Sequence, residues 1–284
     1  VLKLGGARLL DARDLSLVRT VLANEPVASC MVAARVEAAG MEPWRLGGEL
    51  WGCDARQLRG GKLSGLCFAG PNLIPLHGDD AALRAFTDRA LNRRRTCSSL
   101  VGPAEQVLTL WSGLEPEWGP AREVRPDQPL LAMSTQPAIK PDPKVRRVRP
   151  EELDRYLPAA IAMFIEEVGV DPCAEDGGRG YRARVAELIS SGRAFARFEG
   201  PDVVFKAEVG AMSANVGQIQ GVWVPPDRRG RGLGAHGTAA VADALVRYFG
   251  RTASLYVNGY NLPATAAYRR VGFTQVGRYA TVLF

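Results

Sequence analysis

The sequence predicts an α/β protein: a mixed sheet flanked by helices in residues 145–284, preceded by a second α/β domain in residues 1–135. Three observations carry this. Short apolar, β-branched runs alternate with helix-period stretches through both halves, the pattern of a layered α/β architecture. A proline-rich interval separates the halves, with Pro at 116, 120, 126, 129, 137, 141, 143 and 150. A loop of alternating Arg and Gly joins a strand to a helix in Val222-Trp223-Val224-Pro225-Pro226-Asp227-Arg228-Arg229-Gly230-Arg231-Gly232-Leu233-Gly234-Ala235.

Taken in order, helices are predicted near residues 14–24 and 27–38, strands at 48–53, 63–68 and 72–76, a helix at 80–92, a strand at 96–101 and a helix at 104–111. Between Gly113 and Pro150 only Pro129-Leu130-Leu131-Ala132-Met133 reads as a strand, and Pro141-Asp142-Pro143 blocks both helix and interior strand. The spacing places a stiff linker at 136–144. A strand follows at 145–148. Pro150-Glu151-Glu152 then opens a helix reaching about Val168, with Pro and acids in its first turn. Pro158 is expected to kink that helix or split off its first turns. A loop at 169–180 leads to a helix at 181–190. Strands are predicted at 194–198, 203–209 and 216–224, the loop helix at 235–249, a strand at 252–257, a helix at 261–270 and a last strand at 279–284.

The chemistry concentrates in the glycine loop. Backbone N–H groups in a first helical turn have no intrahelical partner, and the aligned peptide dipoles add partial positive charge there. Gly230, Gly232 and Gly234 put no Cβ between a ligand and those donors. This is a seat for an anion such as a pyrophosphate. A Walker loop needs Lys and Ser or Thr after its last Gly, where this chain has Ala235 and His236. A dinucleotide site expects an acid about twenty residues on, at the end of the next strand, which here ends in Asn258.

The remaining pattern, R-x-x-G-x-G, is filled by Arg229, Gly232 and Gly234. Downstream, Leu255-Tyr256-Val257-Asn258-Gly259-Tyr260-Asn261-Leu262-Pro263-Ala264-Thr265-Ala266-Ala267-Tyr268-Arg269-Arg270-Val271-Gly272-Phe273 gives a strand, an Asn opening a helix, a Tyr seven residues later and a terminal Gly-Phe. In both signatures residues 145–284 resemble the GNAT (Gcn5-related) N-acyltransferases, and the chain looks like actinobacterial members with an extra N-terminal domain. The resemblance implies transfer of an acetyl group from acetyl-CoA, the co-substrate, to an amine by direct attack in a ternary complex. It assigns Val222 and Val224 to the pantetheine arm and acetyl carbonyl. Arg229, Gly230, Arg231, Gly232, Leu233, Gly234 and Ala235 fall to the pyrophosphate. Tyr268 falls beside the sulfur as proton donor to the thiolate. Asn261 is placed to cap its helix, contact the cofactor, or both. The amine's base has no obvious residue: where some members have Glu this chain has Gln218 and Gln220, and Glu208 is the best remaining carboxylate, with Glu166, Glu167 and Asp227 behind it and water relays to bulk still open. The alternative is a non-catalytic acyl-CoA-binding or protein-interaction module. The element order of the N-terminal half resembles a degenerate copy of the same fold, in which His77-Gly78-Asp79-Asp80 puts two carboxylates where a pyrophosphate would sit.

Composition bounds the rest. Hydrophobic residues make up 46% and charged residues 23%, as in soluble globular proteins. No apolar run approaches the roughly twenty residues that span a bilayer. Val1-Leu2-Lys3-Leu4-Gly5-Gly6 does not read as a signal peptide, so cytoplasmic residence is expected. Five scattered cysteines and two isolated histidines, His77 and His236, predict neither a disulfide framework nor a metal site. The net charge of +6 is spread over many segments without interleaved aromatics, so nucleic acid is not the expected partner.

Overall fold

A computed structural model describes residues 6–55, 61–174 and 176–284. The reading of the first residues as no signal peptide therefore falls, Gly6 apart, outside the described residues. Two compact units divide the chain. One takes Val1–Leu130, Tyr256–Tyr260 and Gln275–Phe284; the other takes Leu131–Leu255 and Asn261–Thr274.

In the first unit the elements run β1 (Arg8–Leu9), α1 (Leu15–Asn24), α2 (Cys30–Ala39), α3 (Pro43–Leu46), β2 (Glu49–Asp54), β3 (Leu63–Ala69), β4 (Asn72–Gly78), α4 (Asp80–Leu91), β5 (Ser99–Pro103), α5 (Ala104–Trp118) and the first part of β6 (Glu123–Met133). Strands β1 to β4 pair antiparallel, β4 and β5 parallel. Two cores form on the two faces. Val18, Leu22, Val32 and Val36 of α1 and α2 pack with Leu50, Leu66 and Phe68. Phe86, Val107, Leu110 and Leu114 of α4 and α5 pack with Trp51 and Cys67. This is a helix–sheet–helix layering, as predicted.

The second unit holds β7 (Arg146–Arg147), α6 (Leu153–Val168), α7 (Arg179–Ser190), β8 (Ala194–Glu199), β9 (Asp202–Met212), β10 (Val216–Trp223), α8 (Leu233–Asp243), β11 (Thr252–Tyr256) and α9 (Leu262–Val271), with β12 (Thr274–Leu283) returning to the first unit. The strand order is β11-β10-β9-β8-β7. Only β10 with β11 is parallel there. Strand alternation divides the side chains between two faces. Phe205 of β9 faces Gly237 of α8, and Leu245 faces Gly217 of β10; a Cβ at either glycine would clash at about 2.5 Å. On the other face Tyr156, Ala160 and Leu188 of α6 and α7 cover Ala194 and Ala196.

Several boundaries differ from the sequence expectation. Strand β6 starts at Glu123 rather than Pro129. Its outer residues alternate toward solvent and carry charges, which hides the period, while its fully buried run begins only at Leu130. Helix α5 continues to Trp118 through Pro116. There the missing N–H costs a single bond in the last turn. Helix α6 likewise runs unbroken from Leu153 through Pro158, with a 3-10 turn at Pro150–Glu152 before it. The predicted strand at 145–148 shrinks to two residues. The last strand begins at Thr274 instead of 279. The loop helix starts at Leu233 and changes to π-helical geometry at Ala244–Tyr248. Among the described residues no helix is long and apolar enough to cross a membrane.

Candidate functional site

Strand β10 has two neighbours at its start and one at its end. It pairs with β11 at Val216–Thr252, Gly217–Ala253 and Gln218–Ser254, and no further. Its pairing with β9 continues to Trp223 through a register shift between Gln220 and Trp223. Gly221 sits in that irregularity at φ +57°, left-handed backbone that a side chain would strain. The last residues of β10 and Val224 after it are therefore released from one partner. Freed peptide groups on a splayed strand can pair with an extended ligand arm. Val222 and Val224 are half-buried there, while Trp223 turns the other way and donates its indole N–H to Glu166 of α6 at 3.0 Å.

The chain then makes a 3-10 turn at Pro226–Arg228 and enters α8. Gly232 is the N-cap, with φ +80°, and no side chain caps the helix. The first intrahelical bond of this turn runs from the His236 N–H to the Gly232 carbonyl at 3.0 Å. The N–H groups of Leu233, Gly234 and Ala235 precede it and point out of the helix end. Space lies over them. A Cβ on Gly230 would meet nothing within 4 Å, and one on Gly234 only the Val224 Cγ2 at 3.9 Å. These glycines leave room outside the protein's own packing.

Arg229 does not project into that space. Its guanidinium makes two bonds to Glu166, at 2.8 and 2.7 Å, and its Nε donates to the Val224 carbonyl at 3.0 Å. Arg229 in turn holds the Glu166 carboxyl below its ordinary range. The pair fixes the loop's entry against α6. Arg231 is exposed and donates to the Asp227 carbonyl at 3.2 Å. His236 ties down residues 140–142: its Nδ1 lies 2.7 Å from the Lys140 carbonyl, so Nδ1 carries the proton, and its own carbonyl accepts the Asp142 N–H at 3.0 Å.

Helix α9 packs beside α8. Asn261 is its N-cap, its side chain accepting the Ala264 N–H at 3.2 Å. Tyr268, two turns on, is buried edge-on to Phe273 at 6.2 Å. Its hydroxyl has no hydrogen-bond partner among the described residues. Burial, with Glu167 adding, raises its pKa, so the phenol stays protonated at neutral pH.

Glu208 is buried in β9, not solvated. Its Oε1 accepts from Lys206 Nζ at 2.7 Å and from the Tyr156 hydroxyl at 3.1 Å. Lys206 is fully buried and lies 5.4 Å from the Tyr156 ring centroid. Burial and the Glu208 charge raise the Tyr156 pKa. Oε2 accepts no hydrogen bond among the described residues, and it lies 3.6 Å from where a Cβ of Gly221 would stand. One oxygen is thus anchored and the other faces the irregular end of β10. Sequence reasoning singled out Glu208 but missed Lys206, Tyr156 and Gly221. The i, i+2 spacing of Lys206 and Glu208 in a strand was the available signal, because it puts both on one face.

In the first unit, Asp79 caps α4 by accepting the Ala82 N–H at 2.8 Å. The matching helix start there is filled by its own carboxylate.

Comparison with known proteins gives two family matches along the chain. Residues 205–282 match the family described as FR47-like protein, and residues 48–156 match a domain of unknown function, DUF4081. A mycothiol acetyltransferase of Corynebacterium jeikeium is 32% identical over 111 residues, which are 39% of this chain and 30% of that protein. The match thus spans under a third of the curated relative. Among solved structures, a GCN5-related N-acetyltransferase from Sphaerobacter thermophilus superposes with a TM-score of 0.58 at 19% identity, covering 97% of this chain and 94% of that one. A tandem GNAT protein from the clavulanic acid biosynthesis pathway gives a TM-score of 0.50 at 15% identity, covering 97% of each. At these identities the likeness is one of fold.

Proposed function

We propose that this chain, which shares its fold with solved GCN5-related N-acetyltransferases and matches the FR47-like family over residues 205–282, is itself a GNAT acetyltransferase that moves an acetyl group from acetyl-CoA to an amine by direct attack in a ternary complex. The observation that carries this is the uncapped start of α8, with open space over Gly230 and Gly234, immediately after a strand released from its neighbour. The N–H groups of Leu233, Gly234 and Ala235 would receive the pyrophosphate, with Gly230, Arg231 and Gly232 shaping the approach. Peptide groups at Val222 and Val224, apart from the Val224 carbonyl that Arg229 occupies, would pair with the pantetheine arm, and their N–H groups would polarise the thioester carbonyl, because donors aimed at a developing oxyanion give a large catalytic effect. Arg229 would act through Glu166, holding the loop, and Asn261 by capping α9.

Tyr268 would give its proton to the departing thiolate, a role suited to a phenol kept neutral. Glu208 would take the amine's proton on Oε2, with Lys206 and Tyr156 fixing Oε1. Acetyl transfer is also what the Corynebacterium relative is named for. The acceptor is an amine of unspecified kind. Thiol release from acetyl-CoA by the full chain across a panel of small amines, lysine peptides and free peptide N-termini tests the reading. Release stimulated by an amine is expected; tight coenzyme A binding with no amine-dependent release across the panel would make the chain a binding module instead.

A further inference from the structure

Acyl transfer has no use for the cavity of about 440 Å³ in the first unit. It lies where β2 and β4 begin and where the α4–β5 loop, residues 92–98, passes the end of α5. Pro71 and Leu73 line it at the start of β4, whereas His77-Gly78-Asp79-Asp80 lies at that strand's other end. It is therefore not a remnant of a lost coenzyme seat.

Its charges do not balance. Arg93, Arg94 and Arg95 line the cavity, and Glu49 is the one carboxylate among its lining residues. Glu49 is already committed: it accepts the Trp51 indole N–H at 2.8 Å and Arg93 Nη1 at 2.6 Å. Burial opposes its charge, but those two donors outweigh it and hold the carboxyl below its ordinary range. Arg94 and Arg95 have no carboxylate partner among the described residues. Arg95 is nonetheless placed, its guanidinium 4.2 Å from the Phe284 ring centroid and 6.0 Å from that of Trp118. These cation–π contacts hold the guanidinium while leaving its N–H groups for an anion. Trp118, Leu73 and Ala90 supply an apolar wall. The volume is in the range of small-molecule pockets, which combine such a wall with a few placed polar groups.

We infer that this cavity binds a small aromatic anion, its flat ring against Trp118 and the apolar wall and its carboxylate or phosphate on Arg94 and Arg95. Trp and guanidinium faces favour a planar partner, and guanidinium forks bind both anion types in pairs of hydrogen bonds.

The test is calorimetric titration of the full chain with 1-naphthoate and 1-naphthyl phosphate, with 1-naphthamide as the uncharged control. At least one acid is expected to bind saturably, and the tighter of the two identifies the anionic group. Naphthamide should bind about tenfold or more weakly, and Arg94→Gln with Arg95→Gln should weaken the acid by about tenfold or more at unchanged Tm. Coenzyme A affinity should be the same in that variant. No saturable binding of either acid, equal binding of acid and amide, an unaffected double variant, or displacement of the acid by coenzyme A would each overturn the assignment.

Discussion

Tyr268 contributes one hydroxyl to the proposed chemistry, and Phe removes only that atom. Its ring would keep its edge-on contact with Phe273, and no hydrogen bond to another described residue is lost. General acid catalysis is worth about a hundred- to ten-thousand-fold, so Tyr268→Phe should lower kcat by roughly that factor with little change in coenzyme A affinity. A near-normal kcat, with chemistry limiting turnover, would make Tyr268 a packing residue. The Lys206–Glu208 pair makes a different prediction, on stability. Lys206→Met leaves a buried carboxylate without its cation and should cost about 3–5 kcal/mol in urea unfolding. Adding Glu208→Leu should recover much of that loss, since replacing both members of a buried pair is often near neutral. A double variant as unstable as the single one would show that the charge itself is not what the site pays to keep. The residue scale was partly legible. Tyr268 and Asn261 stand in a motif with fixed spacing, whereas the partners of Glu208 come from β9 itself and from α6, and only the fold brings Tyr156 to that face.

At the scale of elements, α6 is held at its start by Glu152. This buried carboxylate accepts two bonds from Arg146 of β7, both at 2.7 Å, and the Arg149 N–H at 2.9 Å. Arg146, against the cost of burial, depresses its pKa from 4.5 to about 2. A carboxyl lowered in the folded state contributes stability above about pH 4.5, and that contribution is lost as pH falls toward 2. Glu152→Gln should therefore be less stable at neutral pH and show a flatter loss of Tm between pH 4.5 and 2 than the parent chain. Parallel Tm curves through that window would remove the linkage. Element type was legible from periodicity through most of the chain. Boundaries failed where a local rule met tertiary packing. Pro158 predicts a break and Pro116 lies beyond the helix end predicted at 111, yet each proline costs only one backbone bond in a helix whose apolar face is buried. The π-helical end of α8 has no sequence mark at all.

For the whole molecule, the layered α/β pattern of both halves was readable in the sequence, and the motif pair carried the acyltransferase resemblance. The routing of the chain was not. Residues 256–260 and 275–284 belong to the first unit although they follow the glycine loop in sequence, and no linear pattern announces a return of that kind. The proposed coenzyme A seat is a single one, at α8, because the matching start of α4 is closed by Asp79. Gly234 is where that claim is most exposed. It has ordinary helical backbone and open space where a Cβ would go, and an acid in a first helical turn favours the helix by about 0.3–1 kcal/mol. Gly234→Asp should fold as well as the parent while setting a carboxylate on the phosphate donors. Calorimetric titration of coenzyme A into the full chain and into this variant is the most direct test. With one seat at α8, the parent chain should bind about one equivalent, and a variant of equal or higher Tm should show no detectable binding. Unchanged affinity in the folded variant would contradict it.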